Sequence, residues 1–247
     1  MNTINQEGIA EAILAQIKTY GAMSAGIASV ADLKDAPAYA AYEKNPYYDA
    51  YEGVADWPSE AKSVLVYTYR HERSKPELDW EAKISGTTLG NRELIRIQKE
   101  IKKWLREELG IKAISLPYKI EKGGIFLKDS AVLGGIGVIG KNNLLITPGL
   151  GPQVRLRASL LDIELAPTRL PSFDPCADCA MPCLHACPQD AFRNGHYERD
   201  YCHLEMEKNR NNPVVTDALP GIPHIQFCRS CELACPVGEK QKPNETY

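Results

Sequence analysis

The chain has 247 residues, of which 44% are hydrophobic and 25% are charged. This composition is typical of a folded globular protein and argues against disorder. Its 29 basic and 32 acidic side chains give a net charge of −3, which does not indicate nucleic acid or an anionic membrane as the main partner. No apolar run approaches the roughly 18 residues of a membrane span, and the first ten residues do not resemble a signal peptide. We therefore expect a cytoplasmic protein without membrane contact.

The first two thirds of the chain predict a mixture of helices and strands. A β-branched and aromatic run predicts a buried strand over 63–69, and a strong apolar periodicity predicts a helix over 91–109. Asn91 is placed to cap this helix, and Gly110 lies just beyond its end. The other predicted elements are helices at 5–20 and 126–133, strands at 24–30, 113–116, 144–147 and 154–165, and a surface excursion over 35–52.

The composition changes near residue 166, where Pro167, Pro171 and Pro175 interrupt the chain. All eight cysteines follow this point. The sequence therefore predicts two domains, a cysteine-free domain over 1–165 and a cysteine-rich domain over 166–247. Clustered cysteines without a signal peptide favour metal or redox chemistry over a disulfide framework.

The cysteines form two runs, CADCAMPCLHACP and FCRSCELACP, with Cys202 between them. This order resembles bacterial two-cluster ferredoxins, in which the last cysteine of each run binds the other cluster. We expect two 4Fe–4S clusters with crossed ligands. The first cysteine set is Cys176, Cys179, Cys183 and Cys235, and the second cysteine set is Cys187, Cys202, Cys228 and Cys231. One residue more than usual separates Cys179 from Cys183, so the chain must bulge there.

Two zinc sites of four thiolates each are the alternative. We expect the histidines either at the surface or next to the cysteine ligands, where an imidazole can adjust the reduction potential of a cluster. They are at positions 71, 185, 196, 203 and 224.

Glycines also cluster, at Gly134, Gly135, Gly137 and Gly140, followed by Lys141 and Asn142. The pattern contains G-x-G-x-x-G, which alone suggests a dinucleotide site. Its context is wrong for that, because it precedes a predicted strand instead of opening a long helix. Two interpretations stay open: a tight backbone crossover, or a flat wall beside a large cofactor.

Residues 128–165, KDSAVLGGIGVIGKNNLLITPGLGPQVRLRASLLDIEL, resemble the cofactor-contacting stretch of the epoxyqueuosine reductase family, which reductive dehalogenases share in part. SEAKSVLVYTYRH at 59–71 resembles the strand that opens the core of these proteins. YCHLEMEK and FCRSCELACPVG resemble the second cluster motif of the family. Together the matches cover most of 59–238.

The resemblance implies an α+β protein, with a nitroreductase-like α/β core that binds a corrinoid (cobalamin) and a ferredoxin-like domain with two 4Fe–4S clusters. In that case Gly134, Gly135, Gly137 and Gly140 line a flat cavity, and Lys141 and Asn142 bind the corrin amides. No histidine follows the D-x-H-x-x-G pattern, so the corrinoid is expected base-off, without an axial histidine. Such a cobalt is easier to reduce.

Two departures from the family bear on function. Family members continue into a helical-repeat region that grips tRNA, whereas this sequence ends at Tyr247, so we expect a short form. The aspartate proposed as proton donor in the family has no secure counterpart. Glu121 and Asp129 are the candidates, and a surface carboxylate is the alternative for each.

Residues 83–128 hold 11 basic and 5 acidic side chains. This basic excess indicates either a solvated face or a docking site for an acidic electron donor or RNA. We expect a reductase that receives electrons from a ferredoxin or flavodoxin and acts on a small molecule; tRNA is a weaker expectation. The rival hypothesis is an electron-transfer protein that reduces a corrinoid partner and has no organic substrate.

Overall fold

A computed structural model describes residues 6–38, 58–82, 87–116 and 126–238. The helices are α1 (Gln6–Thr19), α2 (Val30–Lys34), α3 (Leu89–Leu109), α4 (Leu127–Leu133), α5 (Pro182–His185), α6 (Arg199–Asn211) and α7 (Ser230–Leu233), with a 3-10 turn at Pro76–Asp79. The strands are β1 (Ser24–Ser29), β2 (Ser63–Arg70), β3 (Glu81–Ala82), β4 (Thr87–Thr88), β5 (Ala113–Ser115), β6 (Val138–Ile139), β7 (Leu145–Ile146), β8 (Val154–Leu161), β9 (Val214–Thr216) and β10 (Leu219–Ile225). This mixture of helix and sheet confirms the α+β class.

The chain divides into two compact units whose segments alternate along the sequence. The first comprises 1–69, 94–137 and 156–172, and the second comprises 70–93, 138–155 and 173–247. This grouping differs from the predicted division at 165/166, because 70–93 and 138–155 belong with the cysteine-rich segment. The sequence did not indicate this grouping because two of its boundaries fall inside α3 and β8. The residue pattern of each of these elements is continuous across the boundary. The cofactor roles assigned to 1–165 and 166–247 stay predictions.

The first unit is built on a four-stranded sheet in the order β1-β2-β8-β5. β2 is buried over its first six residues, as its run of β-branched and aromatic residues predicted. The apolar faces of α1 and α3 form the core of this unit with β2, and Ile13, Ile97 and Ile101 are fully buried there. The surface excursion expected over 35–52 falls mostly outside the described residues.

The helix α3 begins earlier than predicted, at Leu89. The side chain of Thr88 accepts a hydrogen bond from the backbone N–H of Asn91 at 3.1 Å. Thr88, and not Asn91, is therefore the capping residue, because it lies three positions before the N–H that needs an acceptor.

The second unit contains a four-stranded sheet in the order β4-β3-β10-β9 and a two-stranded sheet of β6 and β7. Trp80 stacks on His224 of β10, with ring centres 4.4 Å apart and 17° between the planes. No helix among the described residues is both long enough and apolar enough to cross a bilayer.

Candidate iron–sulfur site

All eight cysteines lie in the second unit, and their division into two ligand sets stays a prediction. Cys176, Cys179, Cys183 and Cys235 line one small cavity. Burial raises the pKa of the Cys183 thiol, and the charges of the other three members of the first set raise it further. Four sulfurs thus face one space, with ligands from both cysteine runs.

The extra residue between Cys179 and Cys183 is accommodated by Met181, which adopts a left-handed conformation at φ 53°. The Met181 N–H points back to Cys179 Sγ at 3.3 Å. Pro182 then opens α5, because proline is tolerated at the first position of a helix. This local reversal is the bulge that the spacing required.

The second set gathers around Cys231. Burial raises the pKa of its thiol to about 12, and the nearby charges of Cys228, Cys202 and Cys187 contribute. Cys202 lies in the first turn of α6. The same helix holds the neighbouring loop, since Asn209 Oδ1 accepts the Cys228 N–H at 2.8 Å.

Hydrogen bonds involve two sulfurs of the second set. The Ala191 N–H donates to Cys187 Sγ at 3.3 Å, and Cys228 Sγ donates to Ser230 Oγ at 3.4 Å. Burial raises the pKa of the Tyr197 phenol, and an interaction with Cys202 adds to the shift. An N–H donor such as that of Ala191 adjusts the potential of an iron–sulfur cluster.

Each predicted set would supply four cysteine sulfurs, the number of ligands that a four-iron cluster takes. A cluster binds each sulfur through a separate iron, whereas a zinc ion takes all four sulfurs at about 2.3 Å. Within the described segments, no three His, Cys, Asp or Glu side chains form a group that could hold a metal ion.

A buried charge network, which the sequence did not predict, borders the second set. It consists of Asp79, Arg155, Arg229, Glu232 and His71. Asp79 accepts from Arg155 at 2.8 Å, from Arg229 at 2.7 Å and from His71 Nδ1 at 2.6 Å, and Glu232 contacts both arginines. Because Arg229 and Glu232 flank Cys231 in sequence, the charge network fixes the loop that carries the second set.

The protonation states in the charge network follow from burial and charge. Burial lowers the pKa of His71 and outweighs the opposing effect of Asp79. Burial alone would raise the pKa of Asp79, but the His71 hydrogen bond and the charges of the arginines leave it lowered. A neutral imidazole therefore donates to an ionised carboxylate.

His71 and His224 are buried, which excludes the first of the two expected positions, the surface, for them. His71 sits against Asp79, and His224 is enclosed beside Trp80, so both are internal hydrogen-bonding groups. His185, His196 and His203 are exposed, as expected.

The glycine turn packs mainly against protein. A Cβ on Gly134 would lie 2.9 Å from the Ser130 carbonyl oxygen, and one on Gly140 would lie 2.7 Å from Ile146. Gly135, at φ +66°, would place a Cβ 2.6 Å from the Arg169 carbonyl carbon. These contacts support the tight crossover at three of the four glycines and correct the steric reason given for a flat wall there. Gly137 is buried, and its part in a cofactor wall stays a prediction.

The residues that follow the glycine turn contact other residues of the second unit. β6 and β7 pair as an antiparallel hairpin after the turn, so the strand–turn–helix context of a dinucleotide site is absent here. Asn142 is buried; its amide donates to the Cys231 carbonyl at 3.4 Å and accepts the Leu144 N–H at 3.2 Å. Lys141 lines the cavity of the first cysteine set. Binding of corrin amides by Lys141 and Asn142 stays a prediction.

Asp129 lies half-buried on α4, and its Oδ2 accepts the Ala38 N–H at 2.8 Å. Burial raises the pKa of this carboxyl, although the Ala38 hydrogen bond and the charge of Lys128 oppose the shift. Glu121, the other candidate acid, lies outside the described residues.

Comparison with known proteins places the chain near a group of reductases. No family model matches. The epoxyqueuosine reductase of Cyclobacterium marinum is 26% identical over 192 residues, which is 75% of this chain and 61% of that relative. The chain thus spans about three fifths of the length of that curated relative.

Two solved structures show a similar fold at 19% sequence identity each. An epoxyqueuosine reductase in complex with a modified tRNA-Tyr stem loop matches with a TM-score of 0.64, over 96% of this chain and 67% of that one. A reductive dehalogenase, whose structure suggests a mechanism for B12-dependent dehalogenation, matches with a TM-score of 0.51 over 77% and 26%. Homologues with these names are oxidoreductase enzymes. The chain is thus similar in sequence to an epoxyqueuosine reductase and in fold to epoxyqueuosine reductases and reductive dehalogenases, as its motifs indicated.

Proposed function

We propose that the protein is an iron–sulfur reductase of the epoxyqueuosine reductase type, in which two 4Fe–4S clusters pass electrons to a base-off corrinoid that reduces a small substrate. The observation that carries the proposal is that both cysteine runs lie in the second unit, where Cys176, Cys179, Cys183 and Cys235 line one cavity. When bound, these groups supply one-electron transfer and a strongly reducing cobalt centre.

The first and second cysteine sets would each hold one cluster. Their donor chemistry suits iron, and their crossed order suits two neighbouring clusters. Lys141 places a positive charge beside the first set, and the N-terminal turn of α6 does the same for Cys202.

Support for a corrinoid comes from the relatives and from the sequence motif. The similar dehalogenase structure is linked to B12-dependent chemistry, and the glycine turn resembles the cofactor-contacting stretch of the family. We assign Gly137, Lys141 and Asn142 as residues to test for corrinoid contact.

Asp129 is our candidate for the proton donor. Its Oδ2 is engaged by the Ala38 N–H, so Oδ1 is the atom that would carry the proton. A carboxyl whose pKa is raised by burial keeps its proton closer to neutral pH, as a general acid requires.

The second candidate function is electron transfer to a corrinoid-bearing partner, without an organic substrate. The packing of Gly135 against the Arg169 backbone favours it, because a flat cofactor wall needs exposed backbone. In either case we propose a ferredoxin or flavodoxin as electron donor. A tRNA partner is proposed only on the likeness to the tRNA-bound reductase. None of the eight cysteines forms a disulfide in the structure, which suits a reducing cytoplasm.

Metal analysis of anaerobically prepared protein tests the proposal. We expect about eight irons per chain, from two four-iron clusters, and about four in Cys187→Ser, which removes one ligand of the second set. Two zinc ions without iron would refute it. Titration of the iron-loaded protein with cobalamin, followed by the EPR signal of Co(II), then separates the candidates: base-off binding supports the reductase, and no binding at micromolar cobalamin supports the electron carrier.

A further inference from the structure

A basic groove in the first unit is lined by residues of α3 and of the segment that leads into β5, the last strand of the sheet order β1-β2-β8-β5. The groove has a volume of about 660 Å³, and small-molecule sites in proteins measure roughly 300–1,000 Å³. Among the described residues that line it, none is acidic and five are basic: Lys99, Lys102, Lys103, Arg106 and Lys112.

Two of these five cations are paired with carboxylates at the surface. Lys112 Nζ lies 2.7 Å from Glu60 Oε1, and Arg106 Nη2 lies 3.0 Å from Glu107 Oε1. All four side chains are exposed, so both ion pairs are weak and screened by solvent. A ligand with a higher negative charge can therefore replace either glutamate.

The other three lysines, Lys99, Lys102 and Lys103, form no ion pair within the part of the chain that the structure describes. Lys102 Nζ donates to Ser115 Oγ of β5 at 3.2 Å, and Lys99 and Lys103 are exposed. The three occupy positions i, i+3 and i+4 on one face of α3, where like charges repel each other and destabilise a helix. An anion bound in the groove would remove this repulsion.

We propose that the groove binds a small ligand that carries two or more phosphate groups. Four of its five cations are lysines, which bind phosphate as point charges. Their clustering favours an anion with several charges, because a single carboxylate neutralises only one of them. Ile95, Ile111 and Ala113 also line the groove, and apolar side chains of this kind accommodate the organic part of a ligand.

The observations favour a small ligand over a nucleic acid or an acidic protein. No described residue of the lining is aromatic, whereas sites for single-stranded nucleic acid stack the bases on aromatic rings. The net charge of the chain is −3, which opposes the approach of a long polyanion. A protein partner needs a face of about 800 Å², whereas the cations here line one cavity.

The test is isothermal titration calorimetry of the full chain with inorganic tripolyphosphate, which presents the phosphate groups alone. We expect one site per chain and an affinity that falls as sodium chloride is added, because salt screens exposed charges. The double variant Lys99→Gln/Lys103→Gln should bind about tenfold more weakly, since it removes two charge contacts at the surface. Glutamine keeps a high helix propensity, so α3 should stay folded.

The matched control is Lys18→Gln/Lys34→Gln. These lysines are exposed residues of the first unit and do not line the groove, and their replacement changes the net charge by the same amount. The control variant should bind tripolyphosphate as the unmodified protein does. Any heat from chelation of bound iron is common to both variants and cancels in the comparison.

The alternatives give different results at the same ionic strength. No binding at about 1 mM tripolyphosphate would overturn the proposal, and so would equal affinities of the two double variants, because the anion would then bind elsewhere. Tighter binding of a single-stranded RNA oligonucleotide would overturn it in favour of a nucleic acid, and tighter binding of poly-glutamate in favour of an acidic protein. Every residue used lies in the first unit, so none of these results bears on the proposed iron–sulfur function.

Discussion

Gly135 gives a direct test of whether the glycine turn serves backbone packing. Its φ is +66°, and a Cβ would lie 2.6 Å from the Arg169 carbonyl carbon and 2.7 Å from the Leu170 nitrogen. Real Cβ contacts of this length are essentially never seen, and both neighbours are backbone atoms that cannot rotate away. Gly135→Ala must therefore displace the 169–170 segment or the turn itself.

Gly110 is the matched control, because it has nearly the same φ, +67°, but no atom within 4 Å of the Cβ position. Gly110→Ala should cost only the left-handed backbone penalty, about 1–2 kcal/mol. Gly135→Ala should add an overpacking cost of about 1–3 kcal/mol. Both residues belong to the first unit, so the difference isolates the clash.

Thermal unfolding of the whole chain, followed by far-ultraviolet circular dichroism, measures this difference. For a protein of this size the added cost corresponds to a further fall in Tm of about 2–12 °C beyond that of Gly110→Ala. Equal losses of stability in the two variants would refute the packing argument. They would also mean that the backbone atoms facing Gly135 move aside at little cost in free energy, as a cofactor wall at this position requires.

Three further predictions concern charged groups. Asp79→Ala should lower the free energy of unfolding by about 3–5 kcal/mol, because it leaves buried guanidinium groups of the charge network without a counter-charge. Glu72→Ala, at an exposed ion pair, should cost less than about 1 kcal/mol in the same urea titration, and equal costs would contradict the argument. Because burial lowers the pKa of His71, the unfolded chain binds more protons, so stability should fall as the pH drops below 6.5. His71→Gln should flatten that part of the pH profile of stability. An unchanged profile would mean that another group causes the loss of stability at low pH. The pKa of Asp129 is raised, so its contribution to stability is lost as the pH rises above 3.8. Asp129→Asn should raise Tm at pH 7 but not at pH 3, and a lower Tm at pH 7 would contradict the stated burial effect.

The sequence predicted those helices and strands that are determined by the pattern of neighbouring residues. The buried strand and the amphipathic helix of the first unit lie within two residues of their predicted ends, because hydrophobic periodicity reports burial directly. The β9–β10 hairpin was not predicted. Pro220 and Pro223 interrupt β10, and proline normally excludes a strand. The register shifts between Leu219 and His224, and this irregularity is how the strand accommodates them.

The candidate site was also predictable only in part. The two cysteine runs were recognisable because their cysteines repeat at short, fixed spacings, and their division into ligand sets stays a prediction. The charge network was not recognisable, because Asp79, Arg155 and Glu232 are separated by more than seventy residues each and carry no motif. Only the packing of the second unit brings them together, and a charged side chain in sequence gives no sign that it is buried.

The crossed order of the cysteines has a consequence for assembly. In the proposed arrangement the run from Cys176 to Cys187 gives three ligands to the first set and one to the second, and the run from Cys228 to Cys235 gives two to the second and one to the first. Neither run can complete a site alone, so each cluster ties the two runs together. Contacts from Asn209 and the charge network to the second run come from protein groups alone. That preorganisation reduces the entropy lost when iron binds, because the loop is ordered before its ligands are used.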